Sequence, residues 1–175
     1  MIELVLVILI LVSFGIRTSW FQTFAAQQVA SYLASAWDTE VDIEKVDIVF
    51  FNKVNLEGIY VEDKLKDTLL YSELIAVDID NYNLSESFVE VEQVGLTNAY
   101  VNIKKYKNDS TFNFQHIVDY FGSSEVDTTA SDPFKVKVRT LALENVNFLY
   151  QDQNAEPTTF GLDYSNMNIQ HLSGA

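Results

Sequence analysis

The sequence predicts a mainly β protein, with an N-terminal transmembrane helix and an amphipathic helix leading into repeated antiparallel strands that form an open hydrophobic groove. Three observations carry this expectation. Residues 1–37 hold one acid, Glu3, and one base, Arg17, so the whole net charge of −14 belongs to residues 38–175. Apolar residues recur at three- and four-residue steps before Trp37 and at alternate positions after it. One alternating pattern then returns three times along the acidic body.

The head comes first. From Ile2 to Ile16, 12 of 15 residues are large and apolar. A bilayer core asks for roughly 20 such residues, with a lower limit near 17, so the run is short for a span. No basic segment precedes it, and Arg17, Thr18, Ser19 and Trp20 lack a small-residue cleavage pattern, so an uncleaved anchor over residues 1–17 is expected in preference to a signal peptide. Glu3 is close enough to the terminus to sit at the interface. Arg17 lies after the span, and charge alone would put the body in the cytoplasm.

Residues 18–37 form the second segment. Phe21, Phe24, Ala25, Val29, Tyr32, Leu33 and Ala36 make a helical stripe, expected to pack on a neighbouring sheet, with an interfacial membrane helix as the alternative. Ser19 and Gln22 are spaced as a capping box.

The body, residues 38–175, reads as strands. Val41, Ile43, Val46 and Ile48 are separated by steps of two, three and two residues. The same steps return at Val89, Val91, Val94 and Leu96, and at Val136, Val138, Leu141 and Leu143, with Asn98 and Asn145 at matching places behind the last two. Strand side chains alternate between faces, so the odd step would turn the second pair to the wrong side. A bulge or turn is therefore expected at residues 44–45, 92–93 and 139–140. Further runs at Ile59 and Val61, at Ile75 to Ile79, at Val101 and Ile103, and at Phe148 and Tyr150 complete an antiparallel architecture; an ordinary β-sandwich would need no repeat. A short helix with Phe114, Ile117, Val118 and Phe121 on one face is predicted at 113–121, capped by Asn113 and turning His116 outward. Residues 123–133 read as a polar loop, and 167–172 as a strand after which the domain is expected to continue.

Composition removes several functions. The only basic cluster is Lys104, Lys105 and Lys107, too little for a nucleic-acid partner. With no cysteine there is no thiolate nucleophile and no cysteine-based metal site. His116 and His171, far apart in polar surroundings, read as surface imidazoles. Asp78, Asp80 and Asn81 open like a calcium loop but lack its glycine and closing glutamate. No catalytic residue, metal site or cofactor is expected, and the protein is not expected to be an enzyme.

The order of anchor, amphipathic helix, Val41-Asp42-Ile43, the run Asp67 to Tyr71, the unit Asn98 to Tyr106, and Asn113-Phe114 opening a helix resembles the N-terminal region of the TamB proteins, the translocation and assembly module subunits of the AsmA-like family, in their Bacteroidota-type forms. The resemblance spans essentially the whole chain. It implies a single-pass inner-membrane protein with its body in the periplasm, folded as a β-taco groove that carries phospholipid toward the outer membrane and works with a TamA-type outer-membrane partner through a further C-terminal region. The chain departs from the family in lacking a basic N-terminal segment.

On this basis the twelve repeat positions Val41, Ile43, Val46, Ile48, Val89, Val91, Val94, Leu96, Val136, Val138, Leu141 and Leu143 are the expected lipid-groove residues. The two predicted helices are too narrow to cover a sheet that carries all of them. Two rivals remain: a scaffold that offers strand edges to folding outer-membrane proteins, and a pilin-like subunit suggested by Ile2 to Val5.

Overall fold

The computed structural model describes residues 19–50, 52–83, 88–122 and 135–175. The anchor expected at residues 1–17 and the polar loop at 123–133 lie outside these. The chain forms α1 (Ser19–Trp37), β1 (Val41–Phe50), β2 (Lys53–Glu62), β3 (Thr68–Asn83), β4 (Phe88–Lys105), α2 (Gln115–Gly122), β5 (Lys135–Asp152) and β6 (Asn166–Gly174). The strands make one open sheet in sequence order.

The sheet is mixed, which corrects the purely antiparallel expectation. Neighbouring strands are antiparallel except β4 and β5, which run parallel. The chain between these two is long and carries α2, as a parallel joint requires and a hairpin does not. The joint explains the strongest part of the repeat. Val89, Val91, Val94 and Leu96 lie directly beside Val136, Val138, Leu141 and Leu143. The first unit, on β1, runs in the opposite direction to β4, so its likeness to the other two is one of pattern only.

The odd step is accommodated in two ways. In β4 the pairing with β3 slips between Gln93 opposite Asp78 and Val91 opposite Ile79. Glu92 is the extra residue there, and the bulge returns Val91 to the face of Val94. In β1 no residue is gained. Ile43 pairs with Ile59 and Val46 with Leu56 in unbroken register, so both strands change face together. Gly58 makes this possible with φ 61, a left-handed backbone that L side chains disfavour. A Cβ at this position would also run into the side chain of Glu44.

That face change continues across the sheet as a seam. Ser72 to Ile75 in β3 and Leu96 to Ala99 in β4 make the same step in register with β1 and β2. Asn98, Asn145 and His171 hold left-handed backbones with φ 49, 55 and 55. Their side chains form a ladder: Asn98 Nδ2 donates to Glu73 Oε2 at 2.6 Å and Asn145 Nδ2 to Asn98 Oδ1 at 2.7 Å. His171 Nδ1 lies 2.6 Å from Asn145 Oδ1; a carbonyl oxygen only accepts, so Nδ1 carries the proton. Asparagine tolerates the left-handed region better than other non-glycine residues, because its short amide can bond locally.

The main core lies between α1, which packs on β1, and the first three strands. Ala26 and Ala30 belong to one buried cluster with Val41, Ile43, Val46, Ile59, Val61, Leu69 and Ile75, with Leu33, Ala34 and Trp37 packed alongside. The helix therefore presents alanines, with Leu33 and Trp37 beside them, to the core. Phe21, Phe24, Val29 and Tyr32 of the expected stripe face outward and are exposed. The helix is apolar on both sides, which corrects the amphipathic expectation: of the expected stripe Leu33 packs on the core, and alanines let the helix backbone approach a sheet already filled by branched residues. Gln22 Nε2 donates to Asp47 Oδ1 at 3.0 Å and ties the helix to β1.

A polar clamp closes one end of the sheet. The buried carboxylate of Asp63 accepts from the backbone N–H groups of Leu65 and Asp67, from the Tyr106 hydroxyl at 2.6 Å and from Asn113 Nδ2 at 3.1 Å. Lys104 Nζ donates to Asp67 Oδ2 at 2.7 Å. Burial and the two carboxylates push the Tyr106 hydroxyl far above its ordinary range. Asn113 is thus not the helix cap its position suggested: its Oδ1 accepts from the Lys104 N–H, joining the α2 segment to β4. His116 is not a surface imidazole either. It is half-buried, its Nε2 is enclosed with no hydrogen-bond partner among the described residues, and desolvation holds its pKa below the ordinary value. His171 is exposed, as expected.

Candidate functional site: an apolar face closed at one side and open at the other

The rows of the sheet define the site. Ile43, Ile59, Ser72, Ala99 and Val146, all buried, flank the seam. Ile43, Ile59, Ser72 and Ala99 stand in register, and Val146 follows Ala99 by the 47-residue offset that relates β4 to β5. Ser72 is legitimate in this apolar line because its Oγ donates to the carbonyls of Leu74 at 2.8 Å and Thr97 at 3.1 Å, which the face change leaves at hand. The next row runs from Val46 through Leu56, Ile75 and Leu96 to Leu143, and the one beyond from Ile48 through Val54, Val77 and Val94 to Leu141.

Cover over this face falls away from β1 to β6. Val41, Ile43 and Val46 are closed under α1, which corrects their assignment to an open groove: the alanine side of the helix leaves no room for a lipid chain. Val91 is also buried. Val89, Val94, Leu96 and Leu143 are half-buried. Ile48, at the far end of β1, is exposed. On β5, Val136 is 55%, Val138 48% and Leu141 51% exposed, and on β6 Ile169 and Leu172 are exposed as well. The open part of the face is therefore the third repeat unit, with the second unit beside it; Ile169 and Leu172 stand next to Phe148 and Val146, beyond that unit.

The opposite face is charged, with its acids bridged to bases. Lys137 Nζ donates to Glu90 Oε1 at 2.8 Å, and Arg139 reaches Asp80, Glu90 and Glu92 at 2.7 to 3.1 Å. These bonds, the one from Lys137 first, hold the Glu90 carboxyl below the usual carboxylate range. Asp78 pairs with Lys53 at 2.8 Å, so the segment that opened like a calcium loop is a strand whose acids bind lysine and arginine. Among the described residues no group of three or more His, Asp or Glu converges as a metal site would.

The sequence reading missed three things. Ser72, Ala99 and Val146 escaped it because small or polar side chains break an apolar count. The clamp of Asp63, Asp67, Tyr106 and Asn113 is assembled from separate turns and leaves no local pattern. The seam left one trace, the matched Asn98 and Asn145.

No family model, no curated protein and no solved structure matches this chain.

Proposed function

We propose that this chain is the membrane-proximal part of an inner-membrane-anchored, periplasmic bridge of the TamB and AsmA-like type, which carries phospholipid toward the outer membrane along its apolar β face and catalyses no reaction. The observation that supports this most is the passage along shared rows from side chains closed under α1 on β1 to the exposed Val136, Val138 and Leu141 on β5. Acyl chains gain about 0.8 kcal/mol per buried CH₂ against such rows. Similar aliphatic side chains in successive rows give near-equal sites, along which a lipid can slide without being trapped.

A second reading, a strand-edge scaffold acting with a TamA-type outer-membrane protein, is supported by a different observation. β6 pairs with β5 only from Leu143 onward, so among the described residues the outer edge of Lys135 to Ala142 has no strand beside it. Such an edge can accept an added strand.

Photo-crosslinkers separate the two. Placed at Val138 or Leu141 in cells, they should capture phospholipid, whereas one at Lys137, on the charged face, should not. Equal labelling at all three positions, or labelling at none, would sink the groove and favour the scaffold.

A further inference from the structure

A set of large apolar residues lies on the side of α1 turned away from the sheet. At about 100° per residue, Phe21, Phe24, Ala25, Val29 and Tyr32 share one side, opposite the Ala26, Ala30, Ala34 and Trp37 side that meets the core. Phe21 is 36%, Phe24 48%, Val29 43% and Tyr32 63% exposed. The other exposed residues there, Gln28 and Ser35 among them, are neutral, and no charged residue occurs from Thr18 to Trp37 in a chain with 25 acids and 11 bases.

A helix side that faces water ordinarily carries charge, and one apolar all round is enclosed by apolar surroundings. The sheet supplies one such surrounding. The sequence just before α1 supplies the other: the apolar run Ile2 to Ile16 ends three residues before Ser19, which keeps α1 beside whatever holds that run. No helix of the described residues is long and apolar enough to cross a membrane, and one side of α1 is already occupied by the core. We propose that the outer side of α1 lies in the interfacial layer of a lipid bilayer, with the sheet seated on its other side. Tyr32 suits that level, with an apolar ring and a hydroxyl that bonds the Tyr120 hydroxyl at 2.7 Å. With no charge on α1 the seating is apolar, so it does not depend on anionic lipid. This deepens the lipid-bridge proposal and rests on its anchor, not on its groove.

The chain has no cysteine, so single labels are specific. Full-length protein carrying Gln27→Cys, Gln28→Cys, Val29→Cys, Ser31→Cys, Tyr32→Cys or Thr111→Cys is labelled with bimane. It is reconstituted into phosphatidylcholine vesicles, with and without phosphatidylglycerol. Each variant must match the parent in far-UV circular dichroism. Spin-labelled lipid should quench positions 28, 29 and 32 about threefold more than Thr111, with a helical period across the scan, in both compositions and in high salt. Iodide quenching of 29 and 32 equal to that of Thr111 would overturn the proposal, and so would energy transfer between copies at 29 without lipid quenching, which would mark a dimer face. The Val138 crosslink is read on the same preparations. Water-facing 29 and 32 with a lipid-labelled Val138 sinks the seating and leaves the groove; the reverse sinks the groove and leaves the seating.

Discussion

Strands β1 to β3 and strands β4 to β6 belong to one sheet and share its rows, yet their apolar faces meet different surroundings. Under α1, Ile43 is 2% exposed; four strands away in β5, Leu141 is 51% exposed. Both stand in aliphatic rows written with the same two-three-two spacing. The difference is made by what lies over the row and not by the row itself. Spacing therefore reports which side of a sheet is apolar and is silent on whether that side is a core or a binding surface.

The largest expected effect compares those two residues directly. Ile43→Ala should cost about 2–5 kcal/mol, the transfer loss of a buried side chain plus the cavity left behind. Leu141→Ala should change stability by no more than about 0.5 kcal/mol. Urea denaturation of the two variants measures this, and equal losses would show that the β5 face is as enclosed as the β1 face.

A smaller effect is expected at the seam, which crosses both halves. Asn145→Val places a branched side chain at φ 55 and removes the bonds to Asn98 and His171. It should cost about 1–2 kcal/mol from the backbone alone. Asn145→Gly keeps the backbone and loses only the ladder, so the gap between the two variants in thermal denaturation separates conformation from hydrogen bonding. No gap would mean that the left-handed turn is not what holds the seam.

The smallest effect is one of pH and concerns the clamped end of the sheet. His116 has its folded pKa depressed by desolvation and, second, by Lys64. The unfolded chain therefore binds the proton more readily than the folded one. The contribution of the neutral imidazole to stability is full above the unfolded histidine pKa of about 6.5, and it is lost as pH falls through the lower folded value. Parent and His116→Gln should diverge in this slope, with the variant flatter between neutral and mildly acidic pH. Parallel curves would mean that the imidazole is solvated.

Most of the architecture was legible in the chain. The helix ending at Trp37, the alternation beyond it and the bulge at Glu92–Gln93 all follow from periods of 3.6 and 2. What could not be read was relational. Phe21, Phe24, Val29 and Tyr32 form a stripe whichever way the helix is turned, and only the packing of Ala26 and Ala30 into the core decides which side is inward. Strand direction is silent in a pattern that reads two-three-two both forward and backward, which is why β1 looked like a third copy of β4 and β5. The burial of Val41, Ile43 and Val46 depends on α1, whose packed side mixes alanines with Leu33 and Trp37 and does not stand out from its other side in the sequence.

The parallel joint of β4 and β5 also bears on how such a sheet could change size. The two strands lie side by side with every paired residue displaced by 47 positions, and the asparagines of the seam share that displacement. Duplicating or deleting a segment of this length moves the chain by one full strand spacing and returns each row to a like neighbour. The seam gains or loses one rung and the alternation is untouched. Length is thereby decoupled from sequence design: a copying error of the right size yields a wider or narrower sheet with its inner and outer faces still in order, whereas an error of one residue would turn every side chain over.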